Sequence, residues 1–411
     1  MHSRETGLES LEPRRLLAAT VTYTLIELDF EPKDLNNADQ ILAADAIEQV
    51  RRGGRLTATS LPKVDSAATL VARRFNDDGI VIGSESFRGP NDESRSQEVL
   101  IGPDRTGQYQ SRYLYDNTTS ADDQPNAAVV INNPGQILTN GGEDATPDLT
   151  GDVRLITVGR RGALTSVNAN GLLPGGTRTI DDPIDLNNAG QFVTTDAHFP
   201  VDNFVTLHRG VASLRTAQEL AGGVAAPIQQ LSALNDVGQI VGATQQAGAG
   251  QQLSATLYQT SRRGRYYRTF LGALPGDDTS EAVAINNAGQ ILGTSFSTPA
   301  SGPILDLTAT ITQRGSNGKY GAPQDLNGLI PDPGKDRVTR PIAINDAGLI
   351  IAEGASTRNG TQRFVLLIPS RANRVSSASA AAVSAAPPQG VAVSVMFASR
   401  KRLVGLDDVL E

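Results

Sequence analysis

Hydrophobic residues in this chain form short runs separated by polar turn residues, and one arrangement of the two recurs seven times. Its clearest copy is the stretch 284–293, which reads Ala-Ile-Asn-Asn-Ala-Gly-Gln-Ile-Leu-Gly. Short apolar runs on either side of a turn rich in Asn and Gly are typical of a β-hairpin. A phrase that repeats at a long interval indicates a modular fold built from similar units.

The spacing of the copies favours a propeller among the repeat folds. Counted from the first Asn of each copy, the intervals are 40, 56, 55, 48, 51 and 59 residues, which is less regular than a rigid solenoid. The seven asparagines are Asn36, Asn76, Asn132, Asn187, Asn235, Asn286 and Asn345. Periods of about 40 to 50 residues with four short strands each are typical of propeller blades.

Turn chemistry accounts for the repeated Asn and Gly. Asn and Asp side chains bond to nearby backbone N–H groups, and Gly tolerates the positive φ of the later turn position. The turn glycines are Gly79, Gly135, Gly190, Gly238, Gly289 and Gly348. The first copy has Asp39 instead, a residue type that tolerates the left-handed conformation. We therefore predict a structural role for these residues, in preference to ligand or metal binding.

A second hairpin is predicted between successive phrases. Its strands fall at 47–50 and 55–61, 98–101 and 109–115, 153–157 and 163–167, 204–207 and 211–214, 255–258 and 266–271, and 307–311 with a weaker return near Tyr320. Several of its turns contain Arg and Gly, at 51–54, 160–162, 262–264 and 314–315. Two hairpins per period give the four strands of a propeller blade.

The two ends of the chain predict how the ring closes. The seventh copy has only the outgoing strand of its second hairpin, at 363–368, and a matching strand stands at 21–28. Pairing of these strands removes two free sheet edges. The prediction is an all-β, seven-bladed propeller of four-stranded blades over residues 21–369. Residues 1–20 lie outside it, and the Ala-, Ser- and Pro-rich segment 370–411 is expected to be a largely disordered linker and tail.

Composition narrows the possible partners. The formal net charge is −8, which argues against a nucleic-acid surface, because phosphate contacts need clustered Lys and Arg. The absence of cysteine excludes disulfides and thiolate nucleophiles. No apolar stretch is long enough for a transmembrane helix. The three histidines, His2, His198 and His208, are scattered, so no metal site or cofactor is predicted, and the chain is expected to be monomeric.

Paired carboxylates are the strongest candidates for chemistry. The pairs are Asp77-Asp78, Asp122-Asp123, Asp181-Asp182 and Asp277-Asp278. The last three precede an inner strand at similar offsets, so a propeller could gather them on one face. Gathered carboxylates bind Ca²⁺ or perform acid–base work in glycosidases. Asp is also common in loops and turns for structural reasons, and we prefer this structural interpretation of the pairs to metal binding or catalysis. No residue is nominated as catalytic.

The repeated phrase resembles the HAF repeat of bacterial extracellular proteins. Residues 271–276, which read Leu-Gly-Ala-Leu-Pro-Gly, together with 284–286 and 289–293 match its pattern nearly throughout. The other copies match mainly at the Asn turn and the following strand. The His-Ala-Phe triplet of the family is replaced by Ser-Ala-Thr at 254–256 and by Arg-Phe-Val at 363–365. The resemblance covers residues 21–369 and implies an extracellular repeat protein.

A second resemblance lies near the N-terminus. The sequence Leu-Glu-Pro-Arg-Arg-Leu-Leu at 11–17 matches the LEPR-XLL motif of planctomycete-type surface and secreted proteins. The matching residues are Leu11, Glu12, Pro13, Arg14, Leu16 and Leu17. The resemblance implies export or cell-surface sorting. From the residues alone, the apolar run is too short for a signal peptide core, and an amphipathic segment that packs on the ring is the alternative.

These observations lead to three functional hypotheses. The leading one is a non-enzymatic, exported or cell-surface protein whose propeller loops bind a protein or glycan partner. The alternative is a secreted hydrolase or lyase that uses loop carboxylates near the central channel. An intracellular scaffold would follow if the N-terminal motif were coincidental. An enzyme needs ionisable groups with perturbed pKa values in one pocket, which distinguishes the first two.

Overall fold

The structure is a computed structural model. It describes residues 21–88, 94–114, 127–140, 153–158, 164–169, 183–194, 203–208, 211–216, 220, 229–245, 252–261, 265–298, 307–315, 317–331, 336–356 and 360–370. The segments 1–20 and 371–411 lie outside the described residues, and so do the LEPR-XLL-like stretch at 11–17 and nearly all of the expected tail.

Seven four-stranded antiparallel sheets form the blades of a β-propeller, which confirms the predicted fold class. In each blade the first strand is innermost, because it contacts the first strands of both neighbouring blades. Blades one to three are β2 (Asp34–Leu35), β3 (Gln40–Leu42), β4 (Ala46–Val50) and β5 (Leu56–Ser60); β6 (Thr69–Phe75), β7 (Val81–Arg88), β8 (Ser94–Pro103) and β9 (Tyr109–Tyr113); and β10 (Ala127–Ile131), β11 (Gln136–Asn140), β12 (Arg154–Val158) and β13 (Leu164–Asn168).

Blades four to six repeat the same order from the channel outward. They are β14 (Pro183–Leu186), β15 (Gln191–Thr194), β16 (Asn203–His208) and β17 (Val211–Thr216); β18 (Gln229–Leu234), β19 (Ile240–Gln245), β20 (Leu253–Thr260) and β21 (Tyr266–Phe270); and β22 (Thr279–Ile285), β23 (Ile291–Phe296), β24 (Thr308–Thr312) and β25 (Gln324–Asp325).

The seventh blade joins the two ends of the ring. It contains β26 (Asp336–Ile344), β27 (Ile350–Ser356), β28 (Gln362–Pro369) and, as its outer strand, β1 (Tyr23–Leu28). Tyr23 lies opposite Pro369 and Leu28 opposite Phe364 in an antiparallel ladder. The Ser370 N–H extends this ladder with a hydrogen bond of 2.8 Å to the Thr22 carbonyl. The predicted closure by the N-terminal strand is therefore confirmed.

The sixth blade differs from the sequence prediction at its outer strand. Tyr320 forms only an isolated bridge with Arg314, and the paired outer strand is the two-residue β25 further along. Gly321 and Pro323 stand between the two pairings. Proline has no N–H to donate to a ladder, and glycine weakens a strand, so the pairing is interrupted and resumes after Pro323.

The apolar core lies between successive blades. One cluster joins Val130 and Leu138 of the third blade to Phe192 and Val205 of the fourth, and similar clusters occupy the other blade interfaces. Burial of apolar surface stabilises folds by about 25 cal/mol per Å². Because this core is continuous from blade to blade, removal of one strand affects its neighbours as well.

The two ends of the propeller carry different connections. One end, called the turn face, carries the turns between the first and second strands, at 36–39, 76–80, 132–135, 187–190, 235–239, 286–290 and 345–349, and those between the third and fourth strands. The opposite end, called the loop face, carries the connections between second and third strands and between blades. Thr22 and Ser370 both lie at the turn face, so the segments 1–20 and 371–411 start from this face.

Candidate functional site

The seven Asn turns converge on the mouth of the central channel at the turn face. The space they enclose has a volume of about 230 Å³ and is lined mainly by polar groups. Within one turn, the Asn187 Oδ1 accepts hydrogen bonds from the N–H groups of Ala189 and Gln191, at 3.0 and 2.9 Å. The Gly190 N–H donates to the Asn187 carbonyl at 3.1 Å, and φ of Gly190 is 74°. The chain thus turns within four residues.

The same asparagines also connect each blade to the next. Each Nδ2 donates to the backbone carbonyl of the equivalent Asn in the next blade, at 2.9 to 3.2 Å. The last of these bonds, from Asn345 to Asn36, closes a continuous ring. We call this set of seven asparagines the amide ring. All seven are buried.

Turn chemistry alone did not predict the amide ring, although the sequence contains a signal for it. The first turn position is Asn in every copy, whereas the following position is Asn or Asp. Asn and Asp both accept backbone hydrogen bonds in a turn, but only Asn has an amide group to donate. The strict choice of Asn therefore indicates a donor function that a turn does not require.

The following turn position forms a second ring closer to solvent. Each residue there donates its backbone N–H to the Oδ1 of its equivalent in the next blade, at 2.8 Å throughout. The members of this outer ring are Asn37, Asp77, Asn133, Asn188, Asp236, Asn287 and Asp346. No two aspartates are adjacent, and three is the largest number that seven positions allow under that condition. Carboxylate repulsion is thereby kept low.

Neighbouring amide groups stabilise these carboxylates by donating hydrogen bonds to them. Asn133 and Asn37 donate to the Asp77 carboxylate at 2.7 and 3.2 Å. Asn188 and Asn287 donate to Asp236 at 2.8 and 3.0 Å. The third aspartate, Asp346, accepts the Asn287 amide, and burial raises its pKa despite this bond. The carboxylate oxygens of the outer ring therefore accept hydrogen bonds from other members of the same ring.

A second group of charges lies deeper in the channel, two residues before the Asn turns. Asp34, Arg74 and Asp185 occupy this position in blades one, two and four, whereas Ala or Val stands there in the others. Burial raises the pKa of Asp185 to about 6, although bonds from two backbone N–H groups and the Arg74 charge oppose the shift. Burial also raises the pKa of Asp34.

These two aspartates act as links between blades. Asp34 accepts the N–H of Leu35 at 2.9 Å and that of Phe75, in the next blade, at 3.2 Å. Asp185 accepts the N–H of Leu186 at 2.9 Å and that of Leu234, in the next blade, at 2.8 Å. Both oxygens of each carboxylate therefore accept backbone hydrogen bonds.

The paired carboxylates are divided between the two faces. Asp77 and Asp78 lie in an Asn turn, where burial and the Asp77 charge raise the pKa of Asp78. Asp277 and Asp278 lie at the loop face, where Asp277 accepts the Ser295 hydroxyl at 2.6 Å and Asp278 accepts the Thr298 N–H at 2.9 Å. The pairs at 122–123 and 181–182, with His2 and His198, lie outside the described residues. His208 is the last residue of β16.

The channel mouth offers little free coordination chemistry. Among the described residues, no group of three or more His, Cys, Asp or Glu side chains is placed to hold a metal ion.

The part of the chain that the structure describes also contains no helix long and apolar enough to cross a bilayer.

No sequence-family model matches the chain, and no curated protein sequence matches it. Several solved structures resemble it. YCF48 from Cyanidioschyzon merolae is 9% identical, with 84% of this chain and 99% of that chain covered and a TM-score of 0.48. YCF48 bound to a D1 peptide is 10% identical, with coverages of 84% and 94% and a TM-score of 0.49. Trypanosoma rangeli sialidase in complex with sialic acid is 13% identical, with coverages of 84% and 58% and a TM-score of 0.34. Likeness at this level carries no functional assignment.

Proposed function

We propose that this propeller is an exported or cell-surface, non-enzymatic protein, and that its loop face binds a protein or glycan partner. The observation that supports this proposal is the contrast between the two faces. At the channel mouth of the turn face, seven nearly identical turns are fixed by two rings of hydrogen bonds. At the loop face, the connections differ in length from blade to blade.

The lengths of the loop-face connections differ widely. The second and third strands are joined by residues 43–45 in the first blade, but by 141–153 in the third and 297–307 in the sixth. Among the connections from one blade to the next, the shortest is 29–33 and the longest is 169–182. Variable loops on a rigid scaffold are where binding residues concentrate in proteins.

The use of the channel carboxylates supports a role other than catalysis. A catalytic acid or base must reach a substrate atom at hydrogen-bond distance. Asp34 and Asp185 instead bond to backbone N–H groups of the next blade, and the aspartates of the outer ring bond to its amides. These hydrogen bonds give the carboxylates a structural role, because each one connects parts of the scaffold.

Export is supported by the LEPR-XLL resemblance of residues 11–17, and the fold gives it a geometrical consequence. Thr22 and Ser370 adjoin each other at the turn face. Attachment through either flanking segment therefore turns the loop face away from the attachment point. A chain secreted as a monomer would display the same face to solvent.

Exchange of loops tests the binding function. One variant has the connections 141–153 and 297–307 replaced by short Gly-Ser turns, and a matched control carries the same turn at 104–108 on the turn face. Both are compared with the wild type on a glycan array and by cross-linking to intact cells of the source organism. We expect ligands that the wild type and control share and the loop variant loses. Equal binding by all three proteins would refute the proposal.

Cell fractionation tests localisation separately. An antibody against the propeller should detect the protein in the medium or at the surface, and protease added to intact cells should remove it. Signal confined to the cytosol would exclude export and would leave the loop-face assay unaffected.

A secreted hydrolase or lyase is the second candidate, and the shared channel position of Asp185 and Arg74 is the observation that favours it. A carboxyl group with a pKa near 6 is suited to general acid–base catalysis. If this candidate is right, polysaccharide cleavage by the wild type will be lost in the Asp185→Asn variant while binding to the same polysaccharide remains.

A further inference from the structure

The outer edge of the turn face carries a concentration of positive charge in a protein whose net charge is −8. These charges lie on the turns between third and fourth strands and are exposed to solvent. We call them the basic rim: Arg51, Arg52 and Arg55 in the first blade, Arg105 in the second, Arg265 in the fifth, and Arg314 and Lys319 in the sixth. Arg160, Arg161 and Arg209 stand between equivalent strands in the sequence, but they lie outside the described residues.

The fold of the first-blade turn depends little on its charged side chains, whereas in the sixth blade Arg314 Nε donates to the Gly318 carbonyl within the turn, at 2.9 Å. In the first blade, the turn is closed by the Arg51 N–H on the Arg55 carbonyl at 2.8 Å and by the Gly54 N–H on the Arg51 carbonyl at 3.0 Å. Gly53 and Gly54 supply the positive φ angles, at 80° and 81°. Clustered like charges repel one another, so three arginines in one turn are unfavourable for the isolated protein and become favourable when an anionic surface covers them.

The missing outer turn of the seventh blade adds to this surface. Because the chain enters and leaves there, no turn joins β28 to β1, and a cleft of about 800 Å³ remains between blades seven and one. Arg51 and Arg52 line the cleft together with Ile368 and Pro369, and so does Asp39, whose carboxylate accepts the Asn345 amide at 2.9 Å. A cleft with both basic and apolar walls suits an amphiphilic group better than a fully hydrated ion.

The acidic residues of this face lie mainly toward its centre. Asp77, Asp236 and Asp346 belong to the outer ring around the channel. At the rim, Asp104 uses its carboxylate within its own turn, where the N–H groups of Thr106 and Gln108 donate to it at 2.8 and 2.9 Å. Among the described residues, positive charge therefore predominates at the perimeter, where Asp104 stands beside Arg105, and most of the negative charge lies at the centre.

We propose that the turn face docks on a lipid bilayer that contains anionic phospholipids, with the basic rim against the headgroup phosphates. A linear polyanion would need a continuous basic groove, whereas these cations are distributed around the edge of a disc and match a plane. The segments 1–20 and 371–411 start from the same face, and they carry Arg14-Arg15 and the basic run 400–402. Docking in this orientation leaves the loop face exposed.

Vesicle binding tests this proposal with the full-length protein. Its sedimentation is measured with vesicles of phosphatidylcholine alone and with vesicles that also contain phosphatidylglycerol. We expect binding only to the anionic vesicles, and we expect it to weaken as salt is added, because salt screens exposed charges. Binding to both kinds of vesicle would overturn the proposal.

Charge variants identify the face that binds. Each Lys or Arg near an anionic leaflet contributes about fivefold in affinity, so R51Q/R52Q/R55Q should weaken binding on the order of 100-fold. The control K33Q/K63Q/R88Q removes three cations from the loop face and should bind like the wild type. Unfolding midpoints verify that both variants are folded. A second variant, R265Q/K319Q, should weaken binding without any change near the cleft.

Three results would contradict the proposal. Equal loss in the rim and loop-face variants would indicate a net-charge effect, and unchanged binding by both rim variants would exclude the rim. Binding to dextran sulfate without binding to anionic vesicles would identify a soluble polyanion as the ligand. None of these outcomes affects the proposed role of the loop face, which lies on the opposite side and is tested with other ligands.

Discussion

The side-chain amide of Asn345 donates a hydrogen bond of 3.0 Å to the backbone carbonyl of Asn36, which precedes it by 309 residues. This bond completes the amide ring at the channel, while the pairing of β1 with β28 completes the last sheet. The propeller is thus closed by non-covalent contacts at two distances from the channel axis, one at the channel and one at the outer edge of the seventh blade. The inner contacts are short, buried and repeated in every blade, so they can be tested one side chain at a time.

Substitution of Asn345 distinguishes the ring function from the turn function. The Asn345 amide donates to Asn36 and to Asp39 Oδ1 and accepts the Leu349 N–H. Asn345→Ala should lower the free energy of unfolding by about 2–4 kcal/mol, because buried partners lose their bonds. Asn345→Asp keeps the turn acceptor but loses the donor. If the ring matters, urea denaturation will show both variants destabilised; near-wild-type stability of Asn345→Asp would leave only the turn function.

Truncation tests the outer closure. A chain that begins at Val21 retains β1 and should unfold at the same urea concentration as the full chain. A chain that begins at Phe30 lacks β1, so β28 becomes a free edge and the buried Tyr23 leaves the core between blades six and seven. Exposed edges promote aggregation. We expect oligomers in light scattering and a lower midpoint for the shorter chain. A monomeric shorter chain of normal stability would contradict this closure.

The fold was predictable because its determinants are local and repeated. Asn, Gly and alternating apolar residues specify each hairpin, and the unpaired strands at 21–28 and 363–368 specify the closure. The channel was less predictable, because its contacts join residues 40 to 59 positions apart, and 309 apart where the ring closes. Asp34 and Asp185 follow no repeat, since the equivalent position is Ala in three other blades. The role of such single side chains becomes apparent only in the folded ring, where each bonds to the neighbouring blade.

Gly242 tests a feature of the repeat that turn chemistry does not explain. Bulges in the innermost strands bring a backbone carbonyl close to the second strand. A Cβ atom at Gly242 would lie 1.9 Å from the Gln230 carbonyl oxygen. Gly242→Ala should therefore cost about 1–3 kcal/mol, because backbone must move. Gly328→Ala is the matched control, with no atom within 4 Å of its Cβ. Equal denaturation midpoints for the two variants would contradict this interpretation.

The order of charges in the outer ring can be tested with two Asn→Asp substitutions. Asn37 stands between Asp77 and Asp346, whereas Asn188 stands between Asn133 and Asp236. Both substitutions remove one amide donor to a neighbouring aspartate. Asn37→Asp places three carboxylates in succession and should be the more destabilising at pH 7, by about 0.5–1 kcal/mol. The difference should shrink as salt is added, because salt screens the repulsion between these charges; a difference that does not depend on salt would have another cause.

The pH dependence of stability tests the environment of Asp185. Its pKa in the folded protein is about 6, above the ordinary value of 3.8, so the folded state binds more protons than the unfolded state between these values. Stability should therefore decrease as pH rises from about 4 to about 6 and then remain constant with respect to this group. The expected decrease is at most about 2–3 kcal/mol.

Asp185→Asn provides the comparison, because it removes the titration. The absolute stability of this variant will also change, since an amide offers one acceptor oxygen where the carboxylate accepts N–H groups from Leu186 and Leu234. The informative quantity is the slope of unfolding free energy against pH. The slopes of the two proteins should differ between pH 4 and 6 and become parallel above pH 7. Parallel slopes throughout would mean that the channel is wet enough for Asp185 to titrate normally, and that its bonds to the next blade offset the effect of burial.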